Sequence, residues 1–260
     1  MSLKSERIKI GNGIHLNLVR TDKFKSNLLS YYFLRPLSKE EVTKNALLPL
    51  VLKRGTEEYT TNLEIQKRLE ENYGANFSIA INKRGEKHVL RFTVETVNGD
   101  YVGDGDYIYE VIKLLKSIIY NPVLEKGYFK KDYVDQEKIN LKNRIEGRIN
   151  DKRSYALDRC IEEMCRNEKF SIYPLGNIND LKDIDEGVLY NHYQNVINTS
   201  PKASVEVALS EEESIFLLNF LLNILSQSLN NIEIIKRVKL SQSKETASGF
   251  KILPIDVFTN

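Results

Sequence analysis

Thr43-Lys44-Asn45-Ala46-Leu47-Leu48-Pro49-Leu50-Val51-Leu52-Lys53-Arg54-Gly55-Thr56 is the most informative segment of this chain. It lies in a run, Glu40 to Leu52, whose composition reads as helix, and Arg54-Gly55-Thr56 ends it. Pro49 sits awkwardly inside. A proline there removes a backbone donor and crowds the preceding turn, so the helix either begins late or is kinked.

Strands flank the segment. Ile8 to Arg20 reads as a strand with a turn at Gly11-Asn12-Gly13. His15, Asn17 and Val19 alternate with Ile14, Leu16 and Leu18, the period of two expected of a half-buried strand. Asn27 to Leu34, rich in Leu, Tyr and Phe, is a second strand. On the other side, Thr61 is placed to cap a helix from Leu63 to Asn72, with Glu64 completing a capping box. Gly74 suits the left-handed position that ends it. The clearest hairpin follows, Asn76 to Asn82 and His88 to Val97, joined by Lys83-Arg84-Gly85-Glu86.

Asn98 to Asp106 is polar and glycine-rich, hence a surface loop. Tyr107 to Tyr120 is an amphipathic helix stopped before Pro122. Lys126 to Asn150 reads as one long helix with Val134, Leu141, Ile145 and Ile149 on one stripe. In a further helix, Tyr155 to Cys165, Leu157, Ile161 and Cys165 line one face beside Ala156, Cys160 and Met164, and the two cysteines read as core packing. Tyr173-Pro174-Leu175-Gly176 is a turn, Ile184 to Ile197 a helix and Ala203 to Leu209 a strand. Glu211 to Leu229 is a nearly apolar helix that needs a core or a partner against it.

Strands and helices are mixed without strict βαβ alternation. This predicts an α+β fold of two layers, a largely antiparallel mixed sheet with helices packed on one face. Residues 231–260 lose periodicity and read as a linker or poorly ordered tail. Lys plus Arg is 38 and Asp plus Glu is 36, a net charge of +2, which argues against a nucleic-acid partner. The longest apolar stretch, Ile215 to Leu225, is interrupted by two asparagines and falls short of the ~20 residues of a membrane span, so no membrane partner is expected. The start lacks an apolar run of signal-peptide length. Cys160 and Cys165 are poorly spaced for a mutual disulfide. A cytoplasmic setting follows as the expectation.

The usual catalytic constellations are missing. His15, His88 and His192 include no pair three or four apart, and there is no Cys-x-x-Cys, so no metal is expected from spacing. No Gly-x-Ser-x-Gly elbow occurs. Gly103-Asp104-Gly105-Asp106 lacks the pattern of a phosphate cradle or a calcium loop. Glu162-Glu163 and Glu211-Glu212-Glu213 read as solvated helix faces. Lys138, Lys142, Arg144 and Arg148, interleaved with acids, read as an ion-pair-laced surface.

The segment quoted first resembles the signature of the pitrilysin/insulinase zinc peptidases, which runs loosely Gly-x-Ala-His-x-x-Glu-His-x-x-Phe-x-Gly-Thr. With Gly55-Thr56 setting the register, the first metal histidine falls on Ala46, the catalytic glutamate on Pro49 and the second histidine on Leu50. Asn72-Tyr73-Gly74-Ala75 with the following hairpin resembles the family's helix, Gly-Ala turn and strands. Gln136 to Asp151 resembles its long helix, where Glu137 is the carboxylate nearest the third ligand's place and Lys142 is the other residue the register allows. The resemblance covers about residues 8 to 210. Arg-Ile-Glu-x-x-x-Asp-Lys-x-x-Tyr-Ala (residues 144–156) and Ile-Glu-Glu-Met-Cys (161–165) resemble the YmfF-type, non-catalytic members found in low-GC Gram-positive bacteria. The family label associates those with the 5-aminopentanol modification of elongation factor P.

The resemblance implies a mitochondrial-processing-peptidase-like metallohydrolase fold over residues 1–230, about half of a usual two-part subunit. It implies a pseudopeptidase without a cofactor, whose vestigial zinc-site positions are Ala46, Pro49, Leu50 and Glu137. The implied partners are a zinc-bearing homologue or a second copy, with peptides as possible ligands. The competing expectation is an active zinc metallopeptidase with unconventional ligands. Zinc peptidase chemistry needs three ligands, an open position for water and a carboxylate base. Ala46 and Leu50 offer no lone pair, and Pro49 cannot take a proton.

Overall fold

A computed structural model describes residues 4–11, 14–20, 23–103, 107–199 and 204–209. The chain opens with an antiparallel pair, β1 (Lys4–Gly11) and β2 (Ile14–Arg20), so the expected turn divides two strands; Asn12 and Gly13 lie outside the described residues. Next come β3 (Ser26–Pro36), α1 (Val42–Leu52), α2 (Asn62–Glu71) and the hairpin β4 (Asn76–Arg84) and β5 (Lys87–Val97). Then follow α3 (Gly99–Val102), α4 (Tyr107–Tyr120), the short pair β6 (Leu124–Glu125) and β7 (Tyr128–Phe129), and α5 (Lys131–Gly147). The described part closes with α6 (Lys152–Met164), α7 (Glu186–Thr199) and β8 (Ser204–Leu209).

Six strands form one sheet in the order β1-β2-β8-β3-β5-β4. Every neighbouring pair is antiparallel except β2 with β8, so the sheet is mixed and largely antiparallel, as the element order predicts. Alternation decides the two faces, because cross-strand partners point the same way. The pairs Leu29–Val94, Tyr31–Phe92 and Phe33–Leu90 are buried. The pair Leu28–Glu95 lies on the opposite face, where Leu28 is 41% exposed and Glu95 and Arg91 are open. Helices α1 and α4 pack against β5. Burial of α1 and of the Val111, Leu115 and Ile118 side of α4 completes the second layer.

Several boundaries move. Lys126 (φ 53°) and Gly127 (φ 85°) both take left-handed backbone. That makes a tight β6–β7 turn in place of helix, and α5 therefore starts at Lys131 rather than Lys126. It ends at Gly147 in a 3₁₀ turn, Arg148–Asn150. Val134, Leu141 and Ile145 keep the expected buried stripe, but Ile149, past the turn, is 47% exposed. The loop expected from Asn98 contains α3, and Asp104–Asp106 lie outside the described residues. So do residues 210–260, and with them the apolar helix expected from Glu211 and the tail expected from 231. Among the described residues no helix is long and apolar enough to cross a membrane.

The α2 expectation is met atom for atom. Thr61 Oγ1 accepts from the Glu64 N–H at 3.3 Å, and Glu64 Oε2 accepts from the Thr61 N–H at 3.0 Å.

Candidate functional site

Every residue of helix α1 from Val42 through Leu52 is buried except Lys44, which is half-buried; this explains why its sequence lacks a polar stripe. Pro49 stands inside a helix that runs unbroken from Val42 to Leu52. Tertiary burial compensates for the backbone bond a proline forgoes. Ala46 and Leu50 are four apart and share one face, and both are buried. Arg54, four residues further, lies just beyond the helix end.

Across from this end runs α5, which adjoins α1. Its buried stripe includes one carboxylate, Glu137, only 4% exposed between Val134 and Leu141. Arg54 Nε donates to Glu137 Oε1 at 2.5 Å, and Asn140 Nδ2 donates to Oε2 at 3.2 Å. The Arg54 guanidinium also sits 5.9 Å from the Tyr133 ring centre, and Tyr133 donates its hydroxyl to the Thr60 carbonyl at 2.8 Å. Both oxygens of Glu137 are thus engaged by the protein. Lys142, the other residue in register, is exposed and reaches Glu146 at 3.8 Å, away from this cluster.

The Gly55-Thr56 pair survives for structural reasons. A Cβ on Gly55 would run into the Thr60 carbonyl. Thr56 is fully buried, its N–H donates to Tyr59 O at 2.7 Å, and its Oγ1 accepts from the Tyr59 N–H at 2.9 Å.

No family model matches the chain. It is 38% identical over 198 residues to a protein described as "Probable inactive metalloprotease YmfF" of Bacillus subtilis (strain 168), covering 76% of this chain and 46% of that one. The fold is similar to a conserved protein from Enterococcus faecalis V583, with a TM-score of 0.75, 27% identity, and coverage of 82% of this chain and 51% of that one. It is also similar to a peptidase M16 inactive domain from Pseudomonas fluorescens (TM-score 0.64, 14% identity, 87% and 51% covered) and to the periplasmic protease PqqL of Escherichia coli (0.67, 14%, 88% and 24%). The chain belongs to the pitrilysin/insulinase peptidase superfamily. It spans about half the length of the relatives it matches or less.

Zinc is the cation this superfamily's fold implies, and the side chains present do not fit it. At the positions that the resemblance assigns to the signature stand a methyl group (Ala46), a pyrrolidine ring (Pro49) and an isobutyl group (Leu50). The buried carboxylate of Glu137 already holds a guanidinium and an amide. Among the described residues no group of three or more His, Cys, Asp or Glu is placed to hold a metal.

The histidines are dispersed. His88 on β5 is fully buried and its Nε2 donates to the Pro174 carbonyl at 2.9 Å. His192 on α7 is buried and its Nε2 donates to Asn45 Oδ1 at 2.8 Å. Burial pushes each imidazole down to about 4, so both are neutral near pH 7. They tie α1, β5, α7 and the 173–176 turn together.

The cysteines overturn their expectation. No residue of α6 is buried; Cys160 is exposed and Cys165 half-buried, both as free thiols. Periodicity revealed an apolar side of α6 correctly but not what covers it. Sequence reasoning also missed Arg54, which carries the site's charge balance. Its offset of four from Leu50 was the available signal.

Proposed function

We propose that this chain is a non-catalytic peptidase-like module that assembles with a zinc-bearing homologue and holds peptide for it. One observation supports the reading: at the positions that the signature resemblance assigns to the metal site stand Ala46, Pro49 and Leu50, and the buried carboxylate of Glu137 is bound by Arg54. The description of the Bacillus subtilis relative as probably inactive supports the same reading. For peptide, β4 ends the strand order among the described strands, which leaves an edge for main-chain pairing. The two unbridged thiols suit a reducing, cytoplasmic setting.

Metal analysis joined to a peptide-cleavage assay tests the inactivity. The expected result is substoichiometric zinc and no chelator-sensitive cleavage. About one zinc per chain with such cleavage establishes the competing reading, an active metallopeptidase with unconventional ligands. Co-purification with a zinc-motif homologue at micromolar concentrations tests the assembly, and failure to associate removes it.

A further inference from the structure

The end of α2 and the start of α4 border a cleft of about 460 Å³, within the range that small-molecule sites occupy. Tyr73, Tyr107 and Tyr109 supply its aromatic lining, and Arg68, Glu71 and Glu110 its charge. Tyr73 takes left-handed backbone at φ 56°, a conformation that bulky side chains rarely adopt. Strain of this kind persists only where the surroundings hold it, and it concentrates at binding sites. Here the turn is pinned. Asn72 Nδ2 donates to the Arg68 carbonyl at 2.6 Å, and the Ala75 N–H donates to the Leu69 carbonyl at 3.0 Å. Tyr107 is buried, and its hydroxyl donates to the Val97 carbonyl of β5, which fixes that ring. The Tyr73 ring stands at 86° to it, 5.3 Å between centres, and stays 44% exposed.

One guanidinium against two carboxylates leaves the lining negative. Arg68 reaches Glu71 Oε2 at 3.2 Å and Glu110 Oε2 at 2.6 Å. Among the described residues, Oε1 of each carboxylate accepts no hydrogen bond. Ring faces and uncommitted carboxylate oxygens both attract a cation. We propose that the cleft binds a primary alkylammonium group, its methylene stem against Tyr73 and Tyr109 and its N–H donors shared between Glu71 Oε1 and Glu110 Oε1. A guanidinium fits less well. Its flat fork pairs with both oxygens of one carboxylate, and Arg68 has taken one oxygen from each. An ammonium is a compact charge whose three donors spread to separate acceptors. The side chain of a lysine in a polypeptide and a free alkylamine present this same group. The side chains of Glu71 and Glu110 are 62% and 44% exposed, so solvent screens the charges and binding is weak, with a Kd on the order of 1 mM. This site is independent of the peptidase-like reading and survives if that reading fails.

Nuclear magnetic resonance of the full chain, with isotope-labelled tyrosine rings, tests it. The probes are Nα-acetyl-lysine methylamide, n-butylamine and the neutral Nα,Nε-diacetyl-lysine methylamide, each titrated to about 20 mM, well past the expected constant. The ring signals of Tyr73, assigned through Tyr73→Phe, shift and saturate with one or both ammonium probes and not with the neutral one. Binding of the lysine amide about fivefold or more tighter than butylamine identifies a polypeptide lysine as the source; equal binding identifies a free amine. Glu71→Gln, at an exposed side chain, weakens binding about threefold or more without lowering the melting temperature. Tyr73→Gly suits the left-handed backbone, so the turn persists, and it weakens binding about fivefold or more. The proposal is overturned if neither ammonium probe gives a saturable shift of Tyr73, or if the diacetylated probe binds equally well. Unchanged affinity in both Glu71→Gln and Tyr73→Gly overturns it as well.

Discussion

Arg54 and Glu137, 83 positions apart in sequence, meet through Nε and Oε1 at 2.5 Å and join the end of α1 to the middle of α5. The carboxylate is almost wholly buried and the guanidinium is about one-fifth exposed. Such a pair does not guarantee stability by itself, since desolvation offsets much of the attraction. Its consequence is asymmetric: removing Arg54 leaves a buried carboxylate held only by the Asn140 amide, whereas Arg54 without Glu137 keeps a partly exposed side and the Tyr133 ring.

Arg54→Leu is therefore expected to cost about 2–4 kcal/mol, with the exposed side of Arg54 lowering the upper figure. Arg54→Leu with Glu137→Leu is expected to cost less than the sum of the single changes. Urea denaturation of the four proteins of this cycle measures it, and strict additivity would show that the pair is not coupled.

Acid is expected to destabilise the fold through His88 and His192. Burial lowers both to about 4; for His88 the Pro174 carbonyl opposes the shift, and for His192 Glu41 opposes it while Lys44 and Arg35 add to it. An unfolded histidine titrates near 6.5. The stabilising contribution is thus complete above that value and is lost as pH falls from about 6.5 toward 4. Between pH 7 and pH 5 the loss is roughly 2 kcal/mol per histidine. His88 Nδ1 has no protein partner to accept a second proton's hydrogen bond. A stability–pH curve measures the limb, and His192→Asn should make it shallower; an unchanged slope would assign the acid sensitivity to other groups.

Gly176 holds the turn after Pro174 at φ 82°, tightly against Thr43. Thr43 Oγ1 donates to Asp180 Oδ2 at 2.6 Å and accepts from the Asn177 N–H at 3.1 Å. Gly176→Ala adds a left-handed backbone penalty to a collision with a fixed side chain, and is expected to cost more than about 2 kcal/mol. Thermal unfolding beside Gly85→Ala, at a φ of 54° with open space around it, separates the two contributions.

Thr61→Ala removes the α2 cap at an exposed position and is expected to cost about 1 kcal/mol. Serine at the same position should recover most of it. Equal loss in both variants would show that the hydroxyl is not the source.

Local signals explain which elements could be read early. The α2 cap, the β4–β5 alternation and the apolar period of α4 each reside within a few residues, and each element forms where it was expected. The start of α5 was misplaced because the β6–β7 turn depends on left-handed backbone at Lys126, a residue type that does not announce it. The α6 cysteines were misplaced because helical period separates an apolar side from a polar one and says nothing of what lies against it.

The sequence alone determined the fold class, the element order and the absence of metal-binding side chains at Ala46, Pro49 and Leu50, since these depend on residue type and short-range spacing. Only the tertiary structure decided that Glu137 is held by Arg54, that His88 and His192 are buried and neutral, and that no residue of α6 is buried. Those facts depend on contacts between residues far apart in the chain, and such contacts exist only once the sheet and its helices have packed.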